Sequence, residues 1–447
     1  MNHPKTIPDR KLGIFSATSI VVANMIGTGI FTTTGILAGY LPGNFWILAC
    51  WFLGGLIALS GALCYSELAT RMPHEGGEYI YLKNLYHPMI GFLTGWTSFF
   101  VGFSAPIAAA AISFSSYILA GLNTESTALN PELLKTIVAI TTVIIFTLVH
   151  YLGIRLGSGI QNILTILKVL IIISLSAAGI MLGSGNLNFI SFSSPESGSL
   201  MGISVAMIIV MFSYSGWNAS TYIAGELKNP RRTLPFSLIT GTIIVIILYL
   251  SINLFIIKEI PYSEMINIIP VVEIAAVKSM GQWIGKLVGL LIAIALLSSL
   301  SAFILIGPRV YYAMALDKLF FPFASRLHPR YKVPGSSIVI QGILAIIMIL
   351  AGTFEQLLIY MGFALSVFPW LSVYGLFIAR KKKIGADSAV EVWGYPVIPV
   401  FFLVSSSALM IATFIHRPVE SIAALITISA GIPLYLLWTK NIAKAKT

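Results

Sequence analysis

Charge is scarce in this chain of 447 residues: Asp, Glu, Lys and Arg make up 10% of it, against 57% hydrophobic residues. A soluble globular domain carries about 25% charged residues, so an ordinary water-exposed fold is excluded. Cysteine is scarcer still. Cys50 and Cys64 fall in one apolar stretch, where a helix rising 1.5 Å per residue separates them by about 21 Å. That is too far for a bridge, and no structural disulfide is expected.

Histidine and aspartate are also few. His3, His74, His87, His328 and His416 lie in connections or tails, His150 sits at a helix end, and Asp9, Asp317 and Asp387 are peripheral. No HExxH or other metal-ligand spacing falls within an apolar stretch, so no metal, cofactor or intramembrane enzyme chemistry is expected. A filter of the TVGYG type is missing, which removes the potassium-pore reading.

What the chain has is hydrophobic runs. Twelve occur, at about 12–39, 45–70, 89–121, 132–152, 157–183, 199–225, 235–257, 283–313, 336–353, 356–379, 396–415 and 419–439. Each approaches the ~20 residues of helix that cross a hydrocarbon core. The expected class is an all-α membrane protein of twelve transmembrane helices. The first run lacks a small-residue cleavage site and continues past its glycines, so it is expected to remain in the mature chain.

The net charge of +11 could suggest nucleic acid, but its distribution does not. With the N-terminus in the cytoplasm, 21 of the 27 Lys and Arg residues fall inside and 5 outside, with Lys168 left within a span. Both termini are therefore expected to face the cytoplasm, and no nucleic-acid partner is needed. The run Arg380–Lys383 is read as a cytoplasmic stop signal, with anionic lipid as the alternative.

Two runs are interrupted. The first carries Gly27-Thr28-Gly29 inside VVANMIGTGIF, and the sixth carries FSYSGWN at Phe212–Asn218. Hydrocarbon tolerates irregular backbone only where it lines a cavity or is buried in protein. The half-helix ending near Asn24 and Met25 should present free carbonyls, and the one beginning at Thr28-Gly29 free N–H groups and a positive dipole end. In the sixth run free carbonyls are expected around Phe212 to Ser215. A zwitterion with both charges on one carbon fits such a pair. Close helix packing is the bland alternative for the glycines, and for Phe212 and Trp217 it is packing or lipid contact.

Taking the two breaks as equivalent starting points gives two five-helix sets of opposite orientation, 1–183 and 199–380, with two further helices at 395–440. Secondary transporters use such inverted repeats, with a midplane site.

NMIGTGIF at 24–31 and FSYSGWNASTYIAGELKNPRRTLP at 212–235 resemble the first and sixth helices of the amino acid-polyamine-organocation transporters. The resemblance is particularly to the branch of L-type and small neutral amino acid transporters. ELATRMPHEGGEYIYLKNLYHPMIGFLTGW at 67–96 and GPRVYYAMALDKLF at 307–320 support it. The resemblance implies a LeuT-like 5+5 inverted repeat with helices 1 and 6 broken, and amino acid transport by alternating access. It implies a substrate site of Met25, Ile26, Gly27, Thr28, Gly29, Phe212, Ser213, Ser215 and Gly216. Thr28 and Gly29 would take the carboxylate, and the carbonyls of Met25, Phe212 and Ser215 the ammonium. Phe212 and Trp217 would gate. Relatives often carry Ser at position 28, so the extra methyl of Thr28 should favour nothing larger than the family norm.

Lys168 lies about 16 Å into the fifth run. A central lysine costs about 2.5–3.5 kcal/mol on insertion scales and should face a partner within the bundle. Ser298, Ser299 and Ser301 of the eighth run lie at similar depth. QNILTILK at 161–168 resembles sodium-independent relatives in which lysine stands where others bind sodium. Burial and nearby carbonyls act on its charge in opposite directions, so proton symport and obligatory exchange both stay open. Tyr249 either caps a hydrogen-bond network or packs at a bend, and the resemblance implies a role beside the first helix, in the coupling set with Lys168, Ser298 and Ser299. Glu226, Lys228, Arg231 and Arg232 form an inner-gate ion-pair set or a solvated surface.

The resembled L-type transporters of mammals bind an ancillary glycoprotein through a cysteine in the loop between helices 3 and 4. Here that loop, 121–132, has none, so no covalent subunit is expected. Without a mid-span acid, neutral substrates are favoured over cationic amino acids or polyamines. A non-transporting sensor or channel on the same fold is the other alternative. Protease added to sealed inside-out vesicles should remove tags from both termini; protection of either tag overturns the orientation.

Overall fold

The computed structural model describes residues 13–74, 76–121, 130–152, 158–182, 199–316, 318–328 and 333–444, and every regular element among them is a helix. The first broken run becomes α1 (Ile14–Met25) and α2 (Thr28–Tyr40), followed by α3 (Asn44–Arg71) and the short α4 (Glu78–Leu85). The third run is α5 (Pro88–Thr97), a π-helical stretch at Ser98–Ser104 and α6 (Ala105–Gly121). Then come α7 (Pro131–Tyr151), α8 (Ser158–Leu182) and α9 (Ser199–Ser213).

After α9 the chain unwinds, then continues as a 3-10 helix at Ala219–Glu226 and as α10 (Pro230–Glu259). Two short helices, α11 (Tyr262–Met265) and α12 (Val271–Met280), lead to α13 (Gln282–Leu316). The remainder is α14 (Gly335–Ala351), α15 (Phe354–Lys381), α16 (Val397–His416), α17 (Pro418–Ser429) and α18 (Gly431–Lys444).

Among the described residues, nine helices are long and apolar enough to cross a membrane, and three shorter apolar helices lie at Ile166–Ala178, Met201–Ser213 and Gly335–Ala351. The last run, read as one span, is divided between α17 and α18. The π-helical stretch was not legible as such. Pro106 has no N–H to give to the turn before it, and the wider turn absorbs the mismatch. There the Ser104 hydroxyl donates to the Phe99 carbonyl five residues back, at 2.7 Å.

The long helices wrap α2, most of whose residues are buried, and the buried stretch 204–210 of α9, while only a minority of the residues of α7, α16 and α17 are buried. Large exposed residues such as Ile145, Leu148, Ile411 and Ile426 lie on those outer helices. An apolar exterior over a buried interior is expected when the solvent is lipid.

Near the end of α3, Glu67 is fully buried and gathers two arginines. Its carboxylate accepts Arg71 Nε at 2.8 Å and Arg380 Nη2 at 2.6 Å, along with the Val392 N–H at 2.8 Å. Arg71 also donates to the Ile384 carbonyl at 2.8 Å, and the Arg380 guanidinium lies 3.7 Å from the centre of the Tyr395 ring. Arg380 therefore corrects the reading of its basic run as a stop signal alone: it clamps α15 and the following loop to α3. At the opposite ends of these helices, Arg417 and Tyr40 meet the Glu355 carboxylate, joining α2 to α15.

Glu67→Ala would leave Arg71 buried without its counter-charge. Breaking a buried pair costs about 3–5 kcal/mol, so the variant should unfold in detergent well below wild type. An unchanged melting temperature would refute the clamp.

Candidate functional site

Both interruptions expected from the sequence are present. α1 stops at Met25 because Ile26 (ψ 86°) and Gly27 (φ −116°, ψ −147°) leave helical geometry, and α2 restarts at Thr28 without a side-chain cap. The first N–H groups of α2 thus receive no side-chain acceptor at Gly27. α9 stops at Ser213, and Gly216 turns the chain with φ +96°.

The two breaks touch at two places. A Cβ at Gly29 would lie 2.3 Å from Ser213 Oγ and 2.8 Å from Ser213 Cα. One at Gly216 would lie 2.9 Å from the Asn24 carbonyl carbon, at a φ that already favours glycine. Gly27 differs, since a Cβ there would approach nothing closer than the Met25 carbonyl at 4.0 Å. Of the two glycines in the first motif, the second serves close approach and the first borders open room.

Tyr249 of α10 joins the breaks. Its hydroxyl, fully buried, is shared between the Met25 carbonyl at 2.5 Å and the Ser213 carbonyl at 3.0 Å. Its ring packs edge-on against Trp51 at 5.3 Å and tilted against Tyr214 at 5.0 Å. One helical turn further, Asn253 donates to the Tyr249 carbonyl at 2.7 Å and accepts from Thr34 at 2.6 Å. Asn253 escaped the sequence reading, although a polar residue four positions after Tyr249 in an apolar helix was the available signal.

The carbonyl of Met25, read as free, is engaged twice: by Tyr249 and by the Gly27 N–H at 2.8 Å. A carbonyl has two lone pairs, so both are taken. The Phe212 carbonyl accepts the Ser215 N–H at 2.9 Å and keeps one lone pair by the same count. Thr28 is buried, with its carbonyl accepting the Thr32 hydroxyl at 2.8 Å.

Phe212 and Trp217 are both buried. Trp217 stands edge-on to Tyr65 of α3 at 4.7 Å and to Phe402 of α16 at 6.3 Å, and its ring covers Gly61. These neighbours are scaffold helices rather than the other break.

Lys168 is buried in α8, and its ammonium donates to Ser299 Oγ of α13 at 2.6 Å. Neighbouring Ser298 has a buried hydroxyl with no hydrogen-bond partner among the described residues, and Ser301 meets His150 of α7 at 2.9 Å. The side chains of residues 161–165 of the lysine motif, of Glu226 and of Arg309, and most of the 121–132 loop, lie outside the described residues. Lys228, Arg231 and Arg232 are exposed. Among the described residues no group of three His, Cys, Asp or Glu side chains could hold a metal, and both cysteines are free and buried. A shallow pocket of about 530 Å³ near Arg231, Lys383 and Asp387 is lined by none of the break residues.

A family model described as amino acid permease matches residues 12–438. The serine/threonine exchanger SteT of Bacillus subtilis is 29% identical over 95% of this chain and 96% of its own length. The human b(0,+)-type amino acid transporter 1 is 29% identical over the whole chain and 93% of its own length. The mouse large neutral amino acids transporter small subunit 2 is 26% identical over 96% of the chain and 81% of its own length.

Tyr249→Phe keeps the ring and removes the bridging hydroxyl, leaving the Ser213 carbonyl without that donor. A lost buried hydrogen bond costs about 1–3 kcal/mol, so melting in detergent should fall measurably. Gly29→Ala should be worse than Gly27→Ala, because only its methyl meets Ser213; equal stability of the two variants would refute the packing.

Proposed function

Because the chain belongs to the amino acid permease family, we propose that it is a sodium-independent amino acid transporter working by alternating access, with small neutral amino acids favoured. The observation that carries this reading is the apposition of two broken helices, joined by one tyrosine hydroxyl to the carbonyls of Met25 and Ser213.

In this reading the chain has twelve spans. Residues 1–183 and 199–380 are inverted five-helix repeats, 395–440 adds two helices, and both termini lie in the cytoplasm of a cell-membrane protein. Substrate carboxylate sits at the uncapped start of α2, on the N–H groups of Thr28 and Gly29, where the helix dipole also favours it. Ammonium falls to Phe212 and Ser215, since the Met25 carbonyl already holds two donors. Gly27 borders the room between them, Ile26 and Gly216 shape the breaks, and Ser213 connects to Tyr249. Phe212 is the gate. Trp217 supports the inner half of the sixth segment through Tyr65 and Phe402.

Sodium independence is supported by the bond from Lys168 to Ser299, which places a fixed cation beside Ser298. Exchange rather than proton symport is favoured by the name of the Bacillus subtilis relative, a serine/threonine exchanger matched over nearly its full length. That relative also makes serine and threonine the first substrates to test. No ancillary subunit is needed for the cycle, and a ligand shifts it only through differential affinity for its states.

Counterflow of labelled serine into proteoliposomes should occur without sodium and only with internal amino acid. Cationic amino acids or polyamines competing better than neutral ones would redirect the substrate class. Binding without flux, or a conductance, would replace transport by a sensor or channel. Lys168→Ala should depress counterflow at least tenfold while leaving the protein folded; unchanged uptake with and without a pH gradient would remove the residue from coupling.

A further inference from the structure

Glu78 opens α4 on the cytoplasmic side of the proposed topology and is 5% exposed. Tyr65 of α3 donates its hydroxyl to Glu78 Oε1 at 2.8 Å, and Asn218 donates its amide to the same oxygen at 2.6 Å. Asn218 belongs to the unwound stretch that follows α9, two residues past Gly216. One carboxyl oxygen thus holds the inner side of the sixth segment to the second.

The groups around it are neutral. Tyr65 and Ser372, the latter from α15, come from the scaffold; Tyr222 comes from the 3-10 helix and Tyr81 from α4 itself. The charged Glu67 and Arg71 of α3 and Arg380 of α15 are engaged with one another. Lys83 of α4 sits 5.5 Å over the Tyr79 ring, His87 accepts the Met89 N–H at 3.2 Å, and α5 brings no ionisable side chain.

We propose that Glu78 is a proton-binding site that latches the inner gate: protonated, it holds the unwound sixth segment against α3, and ionised, it releases it. The meaning of the latch rests on the alternating-access reading, but the contact can be tested without transport.

Burial pushes the Glu78 carboxyl up to about 7 in the latched state, against the charge-favouring bonds from Tyr65 and Asn218. Its first-turn position in α4 also favours the charge, and burial outweighs both. Released into water, the group returns to about 4.3. The latched state therefore binds the proton more tightly. Latching is fullest below about 4.3, weakens by up to tenfold per pH unit as pH rises to about 7, and is flat above.

Hydrogen–deuterium exchange of residues 214–226, measured on the full chain in nanodiscs from pH 5 to 8 and corrected for intrinsic exchange, reads the latch directly. Protection in wild type should fall at least tenfold between pH 5 and 7 and then level off. Glu78→Gln keeps a neutral acceptor and should stay protected throughout. Tyr65→Phe removes a donor that favours the charge, so its levelling point should move to higher pH, a shift that mere loosening would not produce. A flat wild-type profile, or the same slope in Glu78→Gln, would overturn the latch. Serine counterflow on the same preparations separates the two ideas: flux without the slope removes the latch and leaves the transporter, and the slope without flux does the reverse.

Discussion

A backbone polar group inside hydrocarbon has no water to turn to, and the rest of this structure follows from that constraint. Each helix interruption strands carbonyls on one side and N–H groups on the other. The chain answers by placing its two interruptions against each other and inserting a third helix between them. Tyr249 is the residue that does this. Its hydroxyl supplies Met25 and Ser213 at once, and Asn253 and Thr34 extend the same polar line outward through a segment that is otherwise apolar. The N–H groups opening α2 get no such side-chain cap, so the interrupted region is satisfied on its carbonyl side and receptive on its donor side.

Charge is handled by the same logic. Lys168 reaches Ser299 deep in the bundle, while ion pairs gather near helix ends, Glu67 with two arginines at one face and Glu355 with Arg417 at the other. Both clusters bind α15 to a neighbour, one at each end, which makes α15 a brace for the helices that carry the breaks. The two breaks themselves are held together by neutral hydrogen bonds and close glycine contacts. In the proposed alternating-access cycle that division is useful, because short-range neutral contacts are exchanged at less cost than buried ion pairs. Glu78 is the exception, an ionisable group within the neutral set, and for that reason a point where proton concentration could act.

The first break was legible because Gly-Thr-Gly in the middle of an apolar run contradicts everything around it, and FSYSGWN gave the matching signal in the sixth run. The depth of Lys168 was legible from helix rise alone. Less visible were residues whose meaning depends on a partner far along the chain. Arg380 looks like the first member of a basic stop sequence, yet its partner Glu67 lies 313 positions away. Trp217 sits beside the break in sequence, while its ring packs on α3 and α16. Met25 was expected to offer a free carbonyl because local reading could not see Tyr249, 224 residues later, donating to it.

The sequence by itself determined what is local and periodic: the long apolar runs that need a bilayer and the two positions where helices cannot continue. Those depend on hydropathy, on helix rise and on the conformational freedom of glycine, none of which requires a distant partner. Only the tertiary structure decided which polar groups at the breaks are already paired, which glycine permits contact and which borders room, and where each buried charge finds its acceptor. Hydrogen bonds and ion pairs act over about 3 Å, and that proximity exists only once the helices have packed.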